Sequence, residues 1–400
     1  MNARIGSNTI VRIAMMTVGV VLVGGTAVYF FRDRIFLSFY APTETKLFQG
    51  VTENEVDDEA EVKDIEVIAE GLAIPWEIAF LPDGDILVTE RPGTLKKIGS
   101  DGIIITIEGV EHIGEGGLLG MALHPDFEKT RWLFLYFTTK RGDALINRVE
   151  RYRFDGNRLF EKTTIIDGIP GAVYHDGGRI AFGPASVPVG TSAGRPDYYL
   201  YITTGDAGNS NLAQDTRSLA GKILRLRDDG SIPEDNPFGN AVWSYGHRNP
   251  QGIVWDDTGR LWATEHGRSG ILSGLDELNF IEKGENYGWP TIQGDERREG
   301  IRSPVIHSGP DETWAPAGAV YMDGSIFFAG LRGESIYKAR ISQDGGVSSV
   351  TNHFRGKFGR LRAIQIGRDG FLYITTSNTD GRGEIRPGDD KIIRINPEIF

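Results

Sequence analysis

The 400-residue chain contains no cysteine. Disulfides, thiolate metal sites, a cysteine nucleophile and a lipid-modified N-terminal cysteine are therefore excluded. A positive charge balance is missing too: 43 Lys and Arg face 55 Asp and Glu, leaving a formal net charge of −12. No basic stripe interrupts that balance, so no nucleic-acid partner is expected. One uncharged apolar run stands out, Ile13 to Phe31, preceded by Arg12 and followed by Arg32 and Arg34. It is just long enough to cross a bilayer as a helix. Two readings compete, a retained membrane anchor and a cleaved signal peptide ending near Gly25-Thr26-Ala27. The anchor is preferred, because the apolar run continues past that cleavage site. The flanking arginines leave orientation open by charge alone. An extracytoplasmic location for the large domain is the expectation. The expected organisation is an anchor over 1–34, an acidic linker over 35–62 and one domain over 63–400. Glu53, Glu55, Asp57, Asp58, Glu59, Glu61 and Asp64 mark the linker as solvated; an acidic calcium-binding tail is the alternative.

Glycine, by contrast, is abundant, with 53 residues, which fits many tight turns. A phrase also repeats: an apolar strand, a turn on Asp-Gly, then a second apolar strand. It runs from Ile78 through Asp83-Gly84 to Glu90, from Ile253 through Gly259 to Glu265, and from Ile364 through Asp369-Gly370 to Thr376. Looser copies begin at Met121, Ile180 and Ala319. Six copies at roughly fifty-residue intervals are the signature of a radial β-repeat. One repeat cannot bury its own sheet faces, whereas a ring of blades can. The fold class expected is all-β, a six-bladed β-propeller of four-stranded antiparallel blades around a polar central pocket, preceded by the transmembrane helix.

Four segments depart from the blade pattern in ways that packing does not require. Gly114-Glu115-Gly116-Gly117-Leu118-Leu119-Gly120 lets a backbone pass close to another group; no Gly-Lys-Ser/Thr follows, so it is no phosphate loop. Tyr174-His175-Asp176-Gly177-Gly178-Arg179 sets a histidine before a blade's first strand, where it suits a general base near neutral pH. A surface-loop histidine is the plainer reading. Tyr245-Gly246-His247-Arg248-Asn249-Pro250-Gln251-Gly252 combines a planar fork of donors with a forced turn; a structural turn salt-bridged to a neighbouring blade explains it equally. Thr264-Glu265-His266-Gly267-Arg268, with Asp276, Glu277 and Asn286-Tyr287-Gly288-Trp289-Pro290, offers hard oxygen ligands suited to calcium. His266 has no second histidine at zinc-ligand spacing. Further on, Arg360 and Arg362 share one strand face. Such a pair repels unless an anion sits near it or carboxylates on an adjacent blade neutralise it.

Taken together, these motifs resemble the soluble quinoprotein glucose dehydrogenase and aldose sugar dehydrogenase family, the glucose/sorbosone dehydrogenases. The likeness runs from about Ile65 to Ile395 and includes GEGGLLGMALHPDF, ITTGDAGN, YGHRNPQG, TEHG and NYGWP. It implies pyrroloquinoline quinone (PQQ) and calcium as cofactors. The implied reaction is oxidation of the anomeric hydroxyl of aldoses to lactones, with an external electron acceptor. His175 is implied as the base, with Arg248 and Asn249 on the quinone oxygens. Gly267 and Arg268 carbonyls are implied as calcium ligands, and Glu277 and Tyr287 as a second, structural calcium site. Arg332, Arg360 and Arg362 would hold the cofactor carboxylates, with Glu115 and His266 also facing the cofactor.

The chain departs from that pattern at several positions. It has Glu115 where relatives carry glutamine, Arg332 at a lysine position and Arg268 where proline is expected. Tyr174 stands where some relatives have a carboxylate. The long insertions of the dimeric enzymes are absent, which points to a monomer. Two other functions fit the same fold: a ligand-binding propeller without cofactor, and a calcium-dependent lactonase-type hydrolase. The hydrolase needs a histidine–carboxylate pair, and Asp176 is a poor partner for His175, since adjacent residues in an extended segment point apart.

Overall fold

A computed structural model of the chain describes residues 51–53, 64–99, 102–184, 198–270 and 273–400. The N-terminal apolar run and most of the acidic linker lie outside these residues. Among the described residues no helix is long and apolar enough to cross a membrane.

Two strands, β1 (Val51–Glu53) and β2 (Ile65–Ala69), precede the repeats. The first blade is β3 (Pro75–Phe80), β4 (Ile86–Glu90), β5 (Thr94–Ile98) and β6 (Ile104–Thr106). The second is β7 (Leu118–Leu123), β8 (Trp132–Arg141), β9 (Ala144–Phe154) and β10 (Leu159–Pro170). The third is β11 (Ile180–Pro184), β12 (Tyr198–Thr204), β13 (Lys222–Leu226) and β14 (Val242–Tyr245). The fourth is β15 (Pro250–Trp255), β16 (Leu261–Glu265), β17 (Glu277–Ile281) and β18 (Ile306–His307). The fifth is β19 (Pro316–Met322), β20 (Ser325–Gly330), β21 (Ile336–Ile341) and β22 (Val347–His353). The sixth is β23 (Leu361–Ile366), β24 (Leu372–Thr376) and β25 (Ile392–Ile395), completed on its outer edge by β2. The six repeats of the sequence are the inner hairpins of these six antiparallel blades.

Residues near the two ends of the chain thus share one sheet: Ile65 pairs with Ile395 and Val67 with Ile393. This pairing closes the ring. Val51–Glu53, within the stretch expected as linker, pairs in parallel with Val350–Asn352 on β22.

Burial explains why the strands read as they do. Leu133 to Thr139 of β8 is buried at every position, because the blade has a neighbour on each face. Such strands are apolar throughout instead of alternating. The outer strand β6 is exposed at both ends and only half-buried between. Blade interfaces are filled by aromatics and branched residues. One cluster joins Trp76, Leu119, Phe134, Ile180, Leu200 and Leu224 from the first three blades. Each such side chain contributes about 1.5–3 kcal/mol on burial. The Asp83-Gly84 and Asp369-Gly370 turns close their hairpins with glycine φ of 98° and 81°, values that favour glycine.

The innermost strands carry a further shared device. Register breaks near the axial start of β3, β7, β15, β19 and β23. Such bulges re-aim side chains. In β15 the break brackets Gln251 and in β23 it brackets Arg362. Those two side chains meet, Arg362 Nη1 donating to Gln251 Oε1 at 3.0 Å.

Candidate active site

Loops at one end of the ring converge on His175. Its φ is 64°, an uncommon left-handed conformation for a histidine. Three contacts hold it there. The His175 N–H donates to Glu115 Oε2 at 2.9 Å, its carbonyl accepts from Ala207 N–H at 3.2 Å, and Nδ1 lies 2.7 Å from Asp206 Oδ1. Room for this arrangement depends on Gly205, where a Cβ would stand 1.9 Å from the His175 carbonyl oxygen.

Asp206 follows β12. Its carboxylate also accepts from Trp289 Nε1 and from the Gly208 N–H, each at 2.8 Å. Burial opposes its charge, but the hydrogen bond from His175 and its other donors outweigh that and lower its pKa. An ionised Asp206 fixes a proton on Nδ1 of His175, so Nε2 is the nitrogen left to accept a proton. Asp206 lies within the ITTGDAGN motif, where nothing local marks it as a partner of His175. Asp176 turns away, as expected: Oδ1 accepts from Asn147 Nδ2 and the Ala172 N–H, each at 3.0 Å.

Arg248 and Asn249 lie beside this pair. The Asp206 N–H donates to the Arg248 carbonyl at 2.8 Å. The Arg248 guanidinium donates to Ser269 Oγ at 2.7 Å and to the His266 carbonyl at 3.4 Å, and lies 5.3 Å from the Trp289 ring centre. None of these partners is a carboxylate, so among the described residues the structural salt bridge considered for this arginine is not formed. Asn249 Oδ1 accepts from the Gly177 N–H at 3.0 Å and from Gln251 Nε2 at 3.2 Å, which leaves Nδ2 as its donor. His247 is structural: it is fully buried, bonded to Ser244 and Glu265, and stacked on Tyr287 at 4.8 Å.

The cationic positions separate by partner. Arg360 Nε and Nη2 donate to Asp380 Oδ2 at 3.0 and 2.8 Å, a carboxylate of its own blade. Arg362 has only the Gln251 bond, and its buried Nε has no partner among the described residues. Burial lowers the Arg362 pKa to about 9. Arg332 donates to Ser273 Oγ at 3.1 Å. His266 is held neutral by burial, its pKa down to about 3, and its buried Nε2 is also unpartnered among the described residues. Arg91, which no sequence motif marks, is 6% exposed and adds another cation; it feels the charges of Asp380, Glu115, Arg382 and Arg360.

Glu115 is turned to a cation. Its Oε1 accepts from Arg382 Nη1 at 2.8 Å. Burial alone would raise its pKa, yet Arg382 and the His175 N–H hold it at about 2. The group approached by its glycine-rich loop is the His175 loop: a Cβ on Gly114 would stand 2.1 Å from the Val173 carbonyl oxygen.

Of the residues read as metal ligands, Gly267, Glu277 and Tyr287 line one cleft together with Arg248, Glu265 and His266, whereas Arg268 is not part of its lining. Asp276 is spent on holding the loop, accepting from the N–H groups of Gly267 and Ala315 at 2.8 Å each. Arg268 N–H bridges to the Gly274 carbonyl at 2.9 Å. The Tyr287 hydroxyl donates to the Phe280 carbonyl at 2.6 Å and accepts from Glu282 N–H at 2.8 Å, so only its carbonyl is left for a metal. Burial and the Glu265 carboxylate push the Glu277 pKa up. Among the described residues no three His, Asp or Glu side chains cluster as a metal site, so carbonyls would have to supply most ligands.

Comparison with known proteins gives this arrangement a context. The family model described as Glucose / Sorbosone dehydrogenase matches residues 72–393. The aldose sugar dehydrogenase YliI of Escherichia coli is 30% identical over 79% of this chain and 91% of its own length. The PQQ-bound aldose sugar dehydrogenase of Streptomyces coelicolor is 39% identical with a TM-score of 0.74, over 83% of this chain and 97% of that one. A putative oxidoreductase (glucose dehydrogenase) of Thermus thermophilus is 42% identical with a TM-score of 0.75, over 83% and 99%.

Proposed function

The chain belongs to the glucose/sorbosone dehydrogenase family and is an oxidoreductase of it, and from that premise we propose that it oxidises the anomeric hydroxyl of aldose sugars to lactones with PQQ and calcium. The observation that carries the reading is a juxtaposition. A carboxylate-oriented histidine, His175, shares a frame with Arg248 and Asn249, and the buried Nε of Arg362 and Nε2 of His266 have no partner among the described residues.

The residues fit an anionic quinone. The Nε of Arg362 is a buried donor and the Nε2 of His266 a buried ring nitrogen, both unpartnered among the described residues, and leaving such groups unmet is costly. Arg332, Arg360 and Arg362 would face the cofactor carboxylates. Arg248 and the Nδ2 of Asn249 would face the quinone oxygens. Calcium would take the Gly267 and Arg268 carbonyls, and a second ion would take Glu277 and the Tyr287 carbonyl. The bound quinone supplies the two-electron acceptor for the anomeric hydride, and calcium acts as a Lewis acid on it.

Within that frame the protein's own work is proton transfer and charge stabilisation. His175 Nε2 accepts the hydroxyl proton. Asp206 keeps Nδ1 protonated and stabilises the imidazolium that results. Arg248 and Asn249 present fixed donors to developing negative charge, so no solvent must reorganise during reaction. A carboxylate-paired histidine would also suit a hydrolase; the unpartnered donors and the family favour the dehydrogenase. An external acceptor then receives the electrons. We further propose a monomer, placed outside the cytoplasm and tethered by the apolar run at 13–31.

The test is reconstitution. Residues 63–400 as apoprotein, given calcium and PQQ, should reduce an artificial dye with aldoses and form lactone. Turnover that needs sugar, quinone and calcium together supports the reading. Lactone hydrolysis without quinone would establish the hydrolase instead.

A further inference from the structure

Glu115 and Arg382 are 267 residues apart in sequence, and neither is needed to build a blade. Glu115 lies on the loop between β6 and β7, and Arg382 on the loop between β24 and β25. Both oxygens of the Glu115 carboxylate are used, one on the Arg382 guanidinium and one on the His175 N–H. The contact with the His175 loop is reciprocal, since Glu115 N–H donates to the Val173 carbonyl at 2.9 Å. Arg382 also lies 5.9 Å from the ring centre of Tyr174, the residue before the histidine.

We propose that Glu115 and Arg382 form a latch across three loops that positions His175. One carboxylate oxygen caps the N–H of a histidine held in a left-handed conformation. The other ties that histidine's loop to the β24–β25 loop. The ion pair also cancels a negative charge that would otherwise face an anionic cofactor. Only this last element rests on the quinone reading above. The pair divides the labour: the acceptor oxygen holds the base, and the cation neutralises the acceptor.

Two measurements separate these elements. Selective ¹⁵N labelling of the 7 histidines gives a small set of amide signals in the apoprotein, without any cofactor. In Glu115→Ala, hydrogen exchange at the His175 amide should quicken by about tenfold, the effect of losing one charge-assisted bond. The other histidine amides should be unchanged. Glu115→Gln keeps an acceptor for the N–H and should restore slow exchange. Unaltered exchange at His175 in Glu115→Ala overturns the latch whether or not the quinone binds.

Calorimetry with PQQ and calcium reads the second element. Arg382→Ala leaves a bare carboxylate and should weaken quinone binding about tenfold. Adding Glu115→Gln to Arg382→Ala should restore binding. Equal weakening in the single and double variants refutes the charge-cancelling role. If the unaltered protein binds no quinone, the functional reading fails, while the exchange data still decide the latch.

Discussion

Replacing Asp206 by asparagine changes few atoms and reverses the chemistry of the base. In the native site three donors converge on the carboxylate: His175 Nδ1 and Gly208 N–H on Oδ1, and Trp289 Nε1 on Oδ2. An asparagine has one oxygen and one NH₂ for the same three partners. If the oxygen stays with Trp289, the NH₂ faces His175, whose Nδ1 must then accept. The ring proton moves to Nε2, and the base can no longer take a proton from the sugar. If the oxygen stays with His175, the Trp289 N–H meets another donor, and the imidazolium loses its counter-charge. Either way the general-base contribution, on the order of 10²- to 10⁴-fold, is largely lost. Stopped-flow reduction of the reconstituted Asp206→Asn variant by glucose should be slower by that order. Cofactor affinity by calorimetry should fall much less than turnover, because the backbone bond from the Asp206 N–H to the Arg248 carbonyl is kept. Full activity in Asp206→Asn would refute the assignment of His175 as the oriented base.

Three further outcomes follow from the same geometry. Arg362→Met should weaken quinone binding by at least about tenfold, and it costs the apoprotein the buried bond to Gln251; unchanged affinity in titration calorimetry would remove Arg362 from the cofactor site. Calcium should raise the melting temperature of the apoprotein and chelator should reverse it, with Glu277→Gln abolishing part of the response, since a cation relieves the Glu265–Glu277 repulsion; a scan indifferent to calcium would show the cleft to be no metal site. The Glu115 pKa is depressed from 4.5 to about 2, so its stabilisation is fully present above the unfolded value and fades as pH falls from about 4.5 towards 2. Acid unfolding curves of native protein and Glu115→Gln should therefore converge over that window, and a constant difference down to pH 2 would contradict the pairing with Arg382.

The ring of blades was legible because its signals are local. Each inner hairpin carries its own apolar strands, and several carry an Asp-Gly turn. The closing strand was not legible, since nothing around Ile65 says that it pairs with Ile395. The site divides in the same way. His175, Arg248 and Asn249 sit in conspicuous glycine- and proline-marked loops, which Asp206 and Gly177 join. Asp206 lies in a motif whose residues look like an ordinary turn, and its role appears only when the chain brings it 2.7 Å from His175. Arg382 and Asp380 act through partners far away or around a loop, on Glu115 and Arg360. At Tyr287 the sequence does not show which oxygen is free: the hydroxyl closes its own turn against Phe280 and Glu282.

The most direct test is a single-turnover experiment on the reconstituted protein, comparing glucose with glucose deuterated at the anomeric carbon. The account predicts reduction of the bound quinone by sugar alone. It also predicts a primary isotope effect from the deuterium and near-complete loss of the reaction in His175→Ala. Absence of quinone reduction, or reduction that persists undiminished in His175→Ala, would contradict it.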